Sequence, residues 1–227
     1  SFAHDGPFGT WDKQQLQRGF KVYKEVCAAC HSLRLVSFGD LQDLGYSEDQ
    51  VKAVAAEFTV PGINPETGEP AGRPGTAADK FPLVYPNDVA ARAANNNAVP
   101  PDLSLMTKAR HNGPAYVYSL MTGYQPVPAS LPKENRPGKG LHYNPYFASL
   151  NIAMAKPLAD GQVTFDDGAP NSVDAMAKDV AAFLTWTAEP KMAERKATGW
   201  AVLLFLIIAT TLAYMSYRSI WAEKKGH

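Results

Sequence analysis

Residues 197–217 form a run of 21 residues without a charged side chain, and this run constrains the fold more than any other feature. As an α-helix it is about 31 Å long, which matches a bilayer hydrocarbon core of roughly 30 Å. Trp200 and Tyr217 stand near its two ends, where interfacial aromatic residues are found. A buried core helix is the alternative, but core helices are rarely so long and uncharged. The run therefore predicts one C-terminal membrane-spanning helix.

The charges that flank this run do not orient it in a membrane. Three basic residues lie just before it and three follow it, so the positive-inside rule gives no answer. Ser1 is not preceded by an apolar leader, and we expect that a signal has already been removed if the domain is exported.

Composition excludes several other classes of protein. The 227 residues include 22 basic and 22 acidic side chains, and this zero net charge argues against nucleic-acid binding. A hydrophobic content of 45% is too high for a disordered tail. Two cysteines are too few for a disulfide-built scaffold or a four-cysteine zinc site.

Periodicity and capping signals predict a mostly α-helical domain with long loops. The first helix is expected from Thr10 to Cys27, with Thr10 as its N-cap. Proline and glycine fill residues 61–86 and 124–170, which we expect to be loops without a strand pair. Four more helices are expected after Ser47, after Asn87, between Pro114 and Gly123, and after Asn171 or Ser172.

Both cysteines lie in one pentapeptide, Cys27-Ala28-Ala29-Cys30-His31. Cys-x-x-Cys-His is the attachment signature of c-type haem. On one helical turn the two sulfurs can reach both vinyl groups of a porphyrin, and the next residue then lies under the iron. A macrocycle tied to the chain in this way also supplies a core to a domain of few helices and long loops. The motif predicts one covalent haem c with His31 as an axial ligand.

Two other uses of this motif fit the sequence less well. A thioredoxin-type Cys-x-x-Cys follows a strand in a βαβ pattern, whereas a helix is predicted before this one. A zinc site made of Cys27, Cys30 and His31 would lack a second ligand cluster, and adjacent Cys and His do not easily bind one tetrahedral ion. A membrane-tethered zinc-binding module remains the alternative from a different class.

An electron-transfer haem needs a second axial ligand, usually Met or His. Met154 lies in a predicted loop with small neighbours and Pro157 nearby, which can bring a thioether to the iron without a clash. Met106 is the next candidate. Met121 and Met176 lie on predicted helices, where methionine usually packs. The remaining candidates are Met192, Met215, His4, His111, His142 and His227.

Residues 40–69 contain seven acidic side chains and one basic side chain, Lys52, for a net charge of −6. Such a run is often an ordinary solvated face. It can also steer a basic electron acceptor, such as a basic soluble cytochrome c, toward the haem.

Several short runs beyond the haem motif occur in one order along nearly the whole chain. They are Tyr85-Pro86-Asn87, AARAANN from Ala90, PPDLS from Pro100, Ala109-Arg110-His111, YVYSLMTGY from Tyr116, Tyr143-Asn144-Pro145-Tyr146-Phe147, Phe165-Asp166-Asp167-Gly168, and the stretch from Ala177 to Pro190. Together with the C-terminal span they resemble the cytochrome c1 family, the haem subunits of the cytochrome bc1 complex.

The resemblance implies a class I cytochrome c-like haem domain with long loops and one C-terminal transmembrane helix. It implies that Cys27 and Cys30 bind the haem covalently. His31 and Met154 would be the two axial ligands, and Arg110 would lie near a haem propionate. The other positions that line the family's haem pocket are Asn95, Pro101 and Tyr116.

The resemblance also implies partners and a location. The haem would take an electron from the Rieske iron–sulfur protein and pass it to a soluble or tethered cytochrome c, within a dimeric complex that contains cytochrome b. Because haem c is attached outside the cytoplasm, residues 1–196 would lie on the periplasmic side of a bacterial inner membrane. Residues 197–217 would then span it, and residues 218–227 would form the cytoplasmic tail. A membrane-anchored cytochrome c shuttle or a terminal-oxidase subunit is the alternative.

The sequence departs from the family pattern in two places. Lys156 stands where many relatives have a small residue or proline, which alters the charge near the haem. The chain also has no cysteines beyond the haem pair, so it lacks the disulfide that braces some bacterial relatives. We therefore expect Met154 to be held by packing alone.

Overall fold

The structure, a computed structural model, describes residues 1–222 and 224. It is mostly helical with little sheet, which confirms the predicted class. The helices are α1 (Lys13–Glu25), α2 (Glu48–Ala56), α3 (Asp88–Ala94), α4 (Gly113–Thr122), α5 (Val173–Ala188) and α6 (Met192–Ala222), with 3₁₀ turns at Cys27–Ala29, Phe38–Leu44 and Lys133–Asn135. The strands form two antiparallel pairs, β1 (Thr59–Ile63) with β2 (Pro70–Pro74) and β3 (His142–Tyr143) with β4 (Asn151–Ile152).

Helices α1 and α5 pack against each other and form the centre of the domain. Leu16, Phe20 and Tyr23 recur at helical spacing on α1 and are all buried. Gly19 lies on the same helix, and a methyl group there would overlap the carbonyl oxygen of Asp179 on α5. The absence of a side chain at Gly19 therefore lets the two helices cross at close range.

The capping signals located most helix starts correctly. Ser47 and Gln50 form the predicted capping box, with each side chain accepting from the other residue's backbone N–H. Asn87 and Ser172 cap α3 and α5, and each side chain accepts from the backbone N–H three residues later. The prediction for the first helix was wrong at both ends. Asp12 is the N-cap instead of Thr10, because its carboxylate accepts from the N–H of Gln15 at 3.1 Å, and the helix ends at Glu25.

The expectation of no strand pair was also wrong. Residues 59–74 form a hairpin in which Thr59 pairs with Pro74 and Ile63 with Pro70. Its strands contain three prolines, which argue against a strand in the interior of a sheet. In this two-stranded sheet each strand is an edge strand, where a missing N–H can face solvent.

The chain divides into two compact units, one of which is Asp12–Glu189. In the other, Ala3–Trp11 lies with the described residues from Pro190 onward. Lys196 Nζ donates to the carbonyl oxygen of His4 at 2.7 Å. Helix α6 has a mean hydropathy of 1.9 in its most apolar stretch, and none of that stretch is buried, unlike a core helix. Its length and composition allow it to cross a membrane.

The predicted membrane topology remains a prediction. It assigns residues 1–196 to the domain, 197–217 to the span and 218–227 to the tail, whereas the compact units divide the chain by contacts alone. Within that tail, residue 223 and residues 225–227 lie outside the described part of the chain, and so does the candidate ligand His227.

Candidate haem site

The Cys-x-x-Cys-His motif begins directly after α1. The backbone continues into a 3₁₀ turn instead of the expected α-helical turn, and the N–H groups of Cys30 and His31 both donate to the carbonyl of Cys27, at 3.1 and 2.9 Å. Both cysteines are half-buried free thiols. The turn thus brings both sulfurs and the imidazole onto one short segment at the end of a packed helix.

The His31 ring is oriented by one hydrogen bond. Its Nδ1 lies 2.8 Å from the carbonyl oxygen of Pro101, which can only accept, so Nδ1 carries the proton. Burial lowers the pKa of His31 against the opposing effects of this bond and of Asp102, and this favours the neutral ring. A neutral imidazole with its proton on Nδ1 has a lone pair on Nε2, which is the form that binds a metal.

The segments 31–35 and 101–104 are joined by a ladder of further hydrogen bonds. Leu103 N donates to Ser32 O at 2.9 Å, and Leu35 N donates to Ser104 Oγ at 3.1 Å. The carboxylate of Asp102 accepts from Arg34 N at 2.8 Å and from Ser104 N at 2.9 Å. The ladder fixes the Pro101 carbonyl that orients His31.

Sequence reasoning did not assign roles to the side chains that build this ladder. Asp102 and Ser104 were noted only as part of the PPDLS run, although Asp at the start of a turn commonly accepts from the backbone two residues later. Tyr23 is buried on the apolar face of α1. Its hydroxyl also donates to the carbonyl oxygen of His31 at 3.0 Å, and no local sequence pattern predicts this contact.

The other predicted pocket residues lie on separate elements. Asn95 ends α3, where its Nδ2 donates to Ala91 O at 2.7 Å. Arg110 is exposed before α4, and Tyr116 is half-buried in the first turns of α4. Pro101 alone among the four is hydrogen-bonded to the motif. Across residues 1–222 and 224 no hydrogen bond or ion pair joins Asn95, Arg110 or Tyr116 to it, and their roles at a haem remain predictions.

The candidate methionine ligands differ in burial. Met176 is fully buried on α5, which agrees with a packing role, and Met106 is also buried. Met154 is half-buried in the loop after β4, where the hydroxyl of Tyr124 donates to its backbone carbonyl at 2.8 Å. The expectation that packing alone holds Met154 was therefore wrong. Lys156 is exposed, so solvent screens its charge.

The thiols and their neighbours argue against the two other uses of the motif. Burial, and then the nearby Cys30, raise the pKa of Cys27 to about 12, whereas reactive dithiols have lowered pKa values. Zinc needs three or four protein ligands in its first coordination shell. The described residues contain no group of three His, Cys, Asp or Glu side chains arranged to hold a metal ion. A group that supplies its own equatorial ligands, as a porphyrin does, fits this donor set.

Comparison with known proteins shows the family to which the chain belongs. The profile of the Cytochrome C1 family matches residues 2–224. The chain belongs to the cytochrome c1 family. It is therefore similar to the haem subunits of cytochrome bc1 complexes, as its sequence runs predicted.

Relatives of cytochrome c1 type occur in mitochondria and in bacteria. A mitochondrial cytochrome c1-2 heme protein of Solanum tuberosum is 47% identical over 99% of this chain and 85% of its own length. A cytochrome c1 of Rhodospirillum rubrum is 43% identical over 97% of this chain and 85% of its own. A protein named cytochrome b/c1 from Bradyrhizobium diazoefficiens is 46% identical over 98% of this chain, which corresponds to 35% of that longer protein.

Proposed function

We propose that this chain is the haem c-bearing electron carrier of a quinol–cytochrome c oxidoreductase, the cytochrome bc1 complex. It takes electrons from the Rieske iron–sulfur protein and passes them to a soluble or tethered cytochrome c. The observation that carries the proposal is the orientation of the His31 ring. Its Nδ1 is hydrogen-bonded to the Pro101 carbonyl, and His31 directly follows the Cys27–Cys30 turn. An imidazole fixed in this tautomer beside two free thiols suits a covalently attached haem.

One haem c would be held by four residues of the chain. Cys27 and Cys30 would form thioethers with its vinyl groups, and His31 and Met154 would be its axial ligands. With a methionine thioether and a histidine as its ligands, the haem would have a raised reduction potential. The bound haem supplies one-electron chemistry, and the chain itself breaks or forms no substrate bond.

The protein's own residues orient and enclose this group. The Pro101 carbonyl holds the His31 ring, and Asp102 holds the Pro101 segment. The guanidinium of Arg110 forms no ion pair in residues 1–222 and 224, and it is suited to bind a haem propionate. Asn95 and Tyr116 would line the rest of the pocket.

The partners follow from the family and from charge. Cytochrome b and the Rieske protein would be subunits of the same dimeric complex. The name of the cytochrome b/c1 relative joins cytochrome b to cytochrome c1 and so supports cytochrome b as a partner. The acidic segment 40–69 would attract a basic cytochrome c. Because haem c is attached outside the cytoplasm, the haem domain would lie on the periplasmic side of a bacterial inner membrane, with α6 as its single anchor.

The test is an optical difference spectrum of material purified through a tag on this chain after mild detergent extraction. Bands of both b-type and c-type haem in the eluate are expected for a cytochrome bc1 complex. A c-type band alone, under conditions that preserve such complexes, would instead indicate an anchored shuttle or an oxidase subunit. A colourless protein that contains zinc would overturn the haem assignment. Retention of the haem after acid–acetone extraction checks that the attachment is covalent.

A further inference from the structure

Met154 lies in a segment that contains no helix and little sheet. Two residues before it, the pair β3–β4 ends with His142 opposite Ile152. The chain has no cysteine outside the haem motif, so no disulfide can hold this segment. Other contacts must therefore determine where the Met154 side chain points.

Tyr124 supplies the first of these contacts. It follows the end of α4 by two residues, and its hydroxyl donates to the backbone carbonyl of Met154 at 2.8 Å. The two residues are 30 positions apart in sequence. This single bond ties the backbone of Met154 itself to the segment that leaves α4.

Asn144 supplies the second contact and is completely buried. Its Nδ2 donates to the carbonyl of Leu120 in α4 at 2.8 Å, and its Oδ1 accepts from Tyr146 N at 3.0 Å. Its backbone N–H donates to Leu150 O at 2.8 Å and closes the loop between β3 and β4. Asn144 thereby fastens the base of the Met154 loop to the last turn of the same helix.

We propose that Tyr124 and Asn144 form a clasp that positions Met154 as a ligand. One hydrogen bond comes from Tyr124, just beyond α4, and one joins Asn144 to the last turn of α4, in a loop that no disulfide can hold. Both are positioning residues, since they act on the backbone that carries Met154. This inference rests on the proposed function, in which Met154 is an axial ligand. Loss of either bond lets the segment open more often, and each opening would separate the Met154 thioether from a bound haem.

The clasp predicts a specific defect in Tyr124→Phe, measured in the haem-loaded, detergent-extracted protein with its partner subunits. Deuterium exchange of the amides in residues 152–155 is expected to rise about fivefold to tenfold, as for one lost hydrogen bond. The near-infrared charge-transfer band of Met-ligated ferric haem is expected to disappear at a lower temperature than in the wild type.

Tyr146→Phe is the matched control. Tyr146 lies in the same loop and is 55% exposed, and its hydroxyl makes no hydrogen bond to any described residue. Its ring packs against Gly123 and is retained in phenylalanine. Equal exchange and equal band stability in the wild type and both variants would overturn the clasp. If Tyr124→Phe does not accumulate, Asn144→Ser removes the second bond and is measured in the same way.

Met154→Leu separates the clasp from the ligand assignment. The wild type should show the charge-transfer band and Met154→Leu should lack it. A band that persists in Met154→Leu, or is missing from the wild type, would contradict the ligand role of Met154. The exchange comparison between Tyr124→Phe and Tyr146→Phe would still decide whether the clasp holds the segment.

Discussion

The segments that carry the two proposed axial ligands are held in different ways. His31 follows α1, whose buried side chains pack against α5 over the length of the contact. Met154 lies in a loop, where Tyr124, just beyond α4, donates to its backbone and Asn144 joins the loop to Leu120 in α4. The first segment is placed by buried apolar area together with a hydrogen-bond ladder, and the second by individual polar contacts.

This difference has a consequence for sensitivity to mutation. Buried apolar area is distributed over many side chains, so a change that separates the helices should be needed to displace the end of α1 that leads into His31. A loop held by single hydrogen bonds has no other contacts to compensate for a lost bond. Removal of one hydroxyl should therefore increase the mobility of the Met154 backbone. Substitutions in the two regions should therefore differ in how much stability they remove and in how far from the substituted residue the effect extends.

Gly19→Ala is expected to have the largest effect, because it acts on the helix contact. The added methyl would overlap the Asp179 carbonyl and lie 2.6 Å from Cβ of Phe183. Overpacking of this kind costs about 2–3 kcal/mol, which corresponds to a fall in Tm of roughly 5–10 °C for a domain of this size. Thermal unfolding of the extracted protein, followed by circular dichroism, measures it.

Gly138→Ala is the control for this change, since a methyl group at Gly138 meets no atom within 4 Å. Its Tm should remain within about 1–2 °C of the wild type, as for most exposed substitutions. A similar fall in both variants would mean that the α1–α5 contact does not limit stability.

Asp102→Ala tests the polar part of the His31 region and should have a smaller effect. It removes the acceptor of two backbone N–H groups, Arg34 at 2.8 Å and Ser104 at 2.9 Å. We expect a loss of about 1–3 kcal/mol and faster amide exchange confined to residues 31–35 and 101–104. Asp43→Ala, at an exposed residue without an ion pair in the described chain, should change neither measurement.

Local signals explain why much of the fold could be predicted. Ser47 with Gln50, and Asn87 before an alanine-rich run, are capping patterns that act within one turn. Cys27 to His31 is a contiguous motif whose chemistry is set by spacing. Each of these features is determined by residues that are neighbours in the chain, so the sequence displays them directly.

The features that were missed depend on distant partners or on competing local signals. The bond between Arg34 and Asp102 joins residues 68 positions apart, and that between Tyr124 and Met154 joins residues 30 apart. At the first helix, Thr10 and Asp12 are both good caps, and the local hydrogen bond to Gln15 decides between them.

The β1–β2 hairpin offers a test of polar stabilisation in a third region. Arg73 on β2 donates two hydrogen bonds of 2.7 Å to Asp79, which also accepts from the Thr76 backbone and hydroxyl at 2.8 Å. The Arg73 guanidinium, then these Thr76 donors, hold the pKa of the Asp79 carboxyl well below its usual range. These contacts should therefore stabilise the hairpin most at a pH at which Asp79 is charged.

Acidification is expected to loosen this hairpin. Because the folded pKa of Asp79 is lowered, the unfolded segment binds a proton more readily, and the stabilisation is present above about pH 4 and fades as the pH falls below it. Amide exchange of residues 59–74, corrected for intrinsic rates, should accelerate below about pH 4. The same profile should be flat in Asp79→Asn, and a flat profile in the wild type would contradict the role of Asp79.

The smallest effect is expected for the double variant Glu66→Gln and Glu69→Gln. It tests the negative charge of residues 40–69, whereas the variants above test how segments of the fold are held in place. Within the described chain Glu57 pairs with Lys24 and Glu48 with Lys52, whereas Glu66 and Glu69 at the hairpin turn make no ion pair. If this segment steers a basic cytochrome c, its reduction by the complex should slow about twofold to threefold at low ionic strength. Stopped-flow reduction of a basic soluble cytochrome c measures the rate.

A control with the same net charge distinguishes a local surface from the charge of the whole protein. Asp88→Asn with Glu134→Gln neutralises two exposed carboxylates outside residues 40–69. Steering by the acidic segment requires a larger slowing in the Glu66 and Glu69 variant than in this control, and both should converge on the wild type at high salt as the Debye length shrinks. Equal slowing in the two variants would assign the effect to net charge. The hairpin would then be a solvated face, and its position would have no bearing on where the acceptor docks.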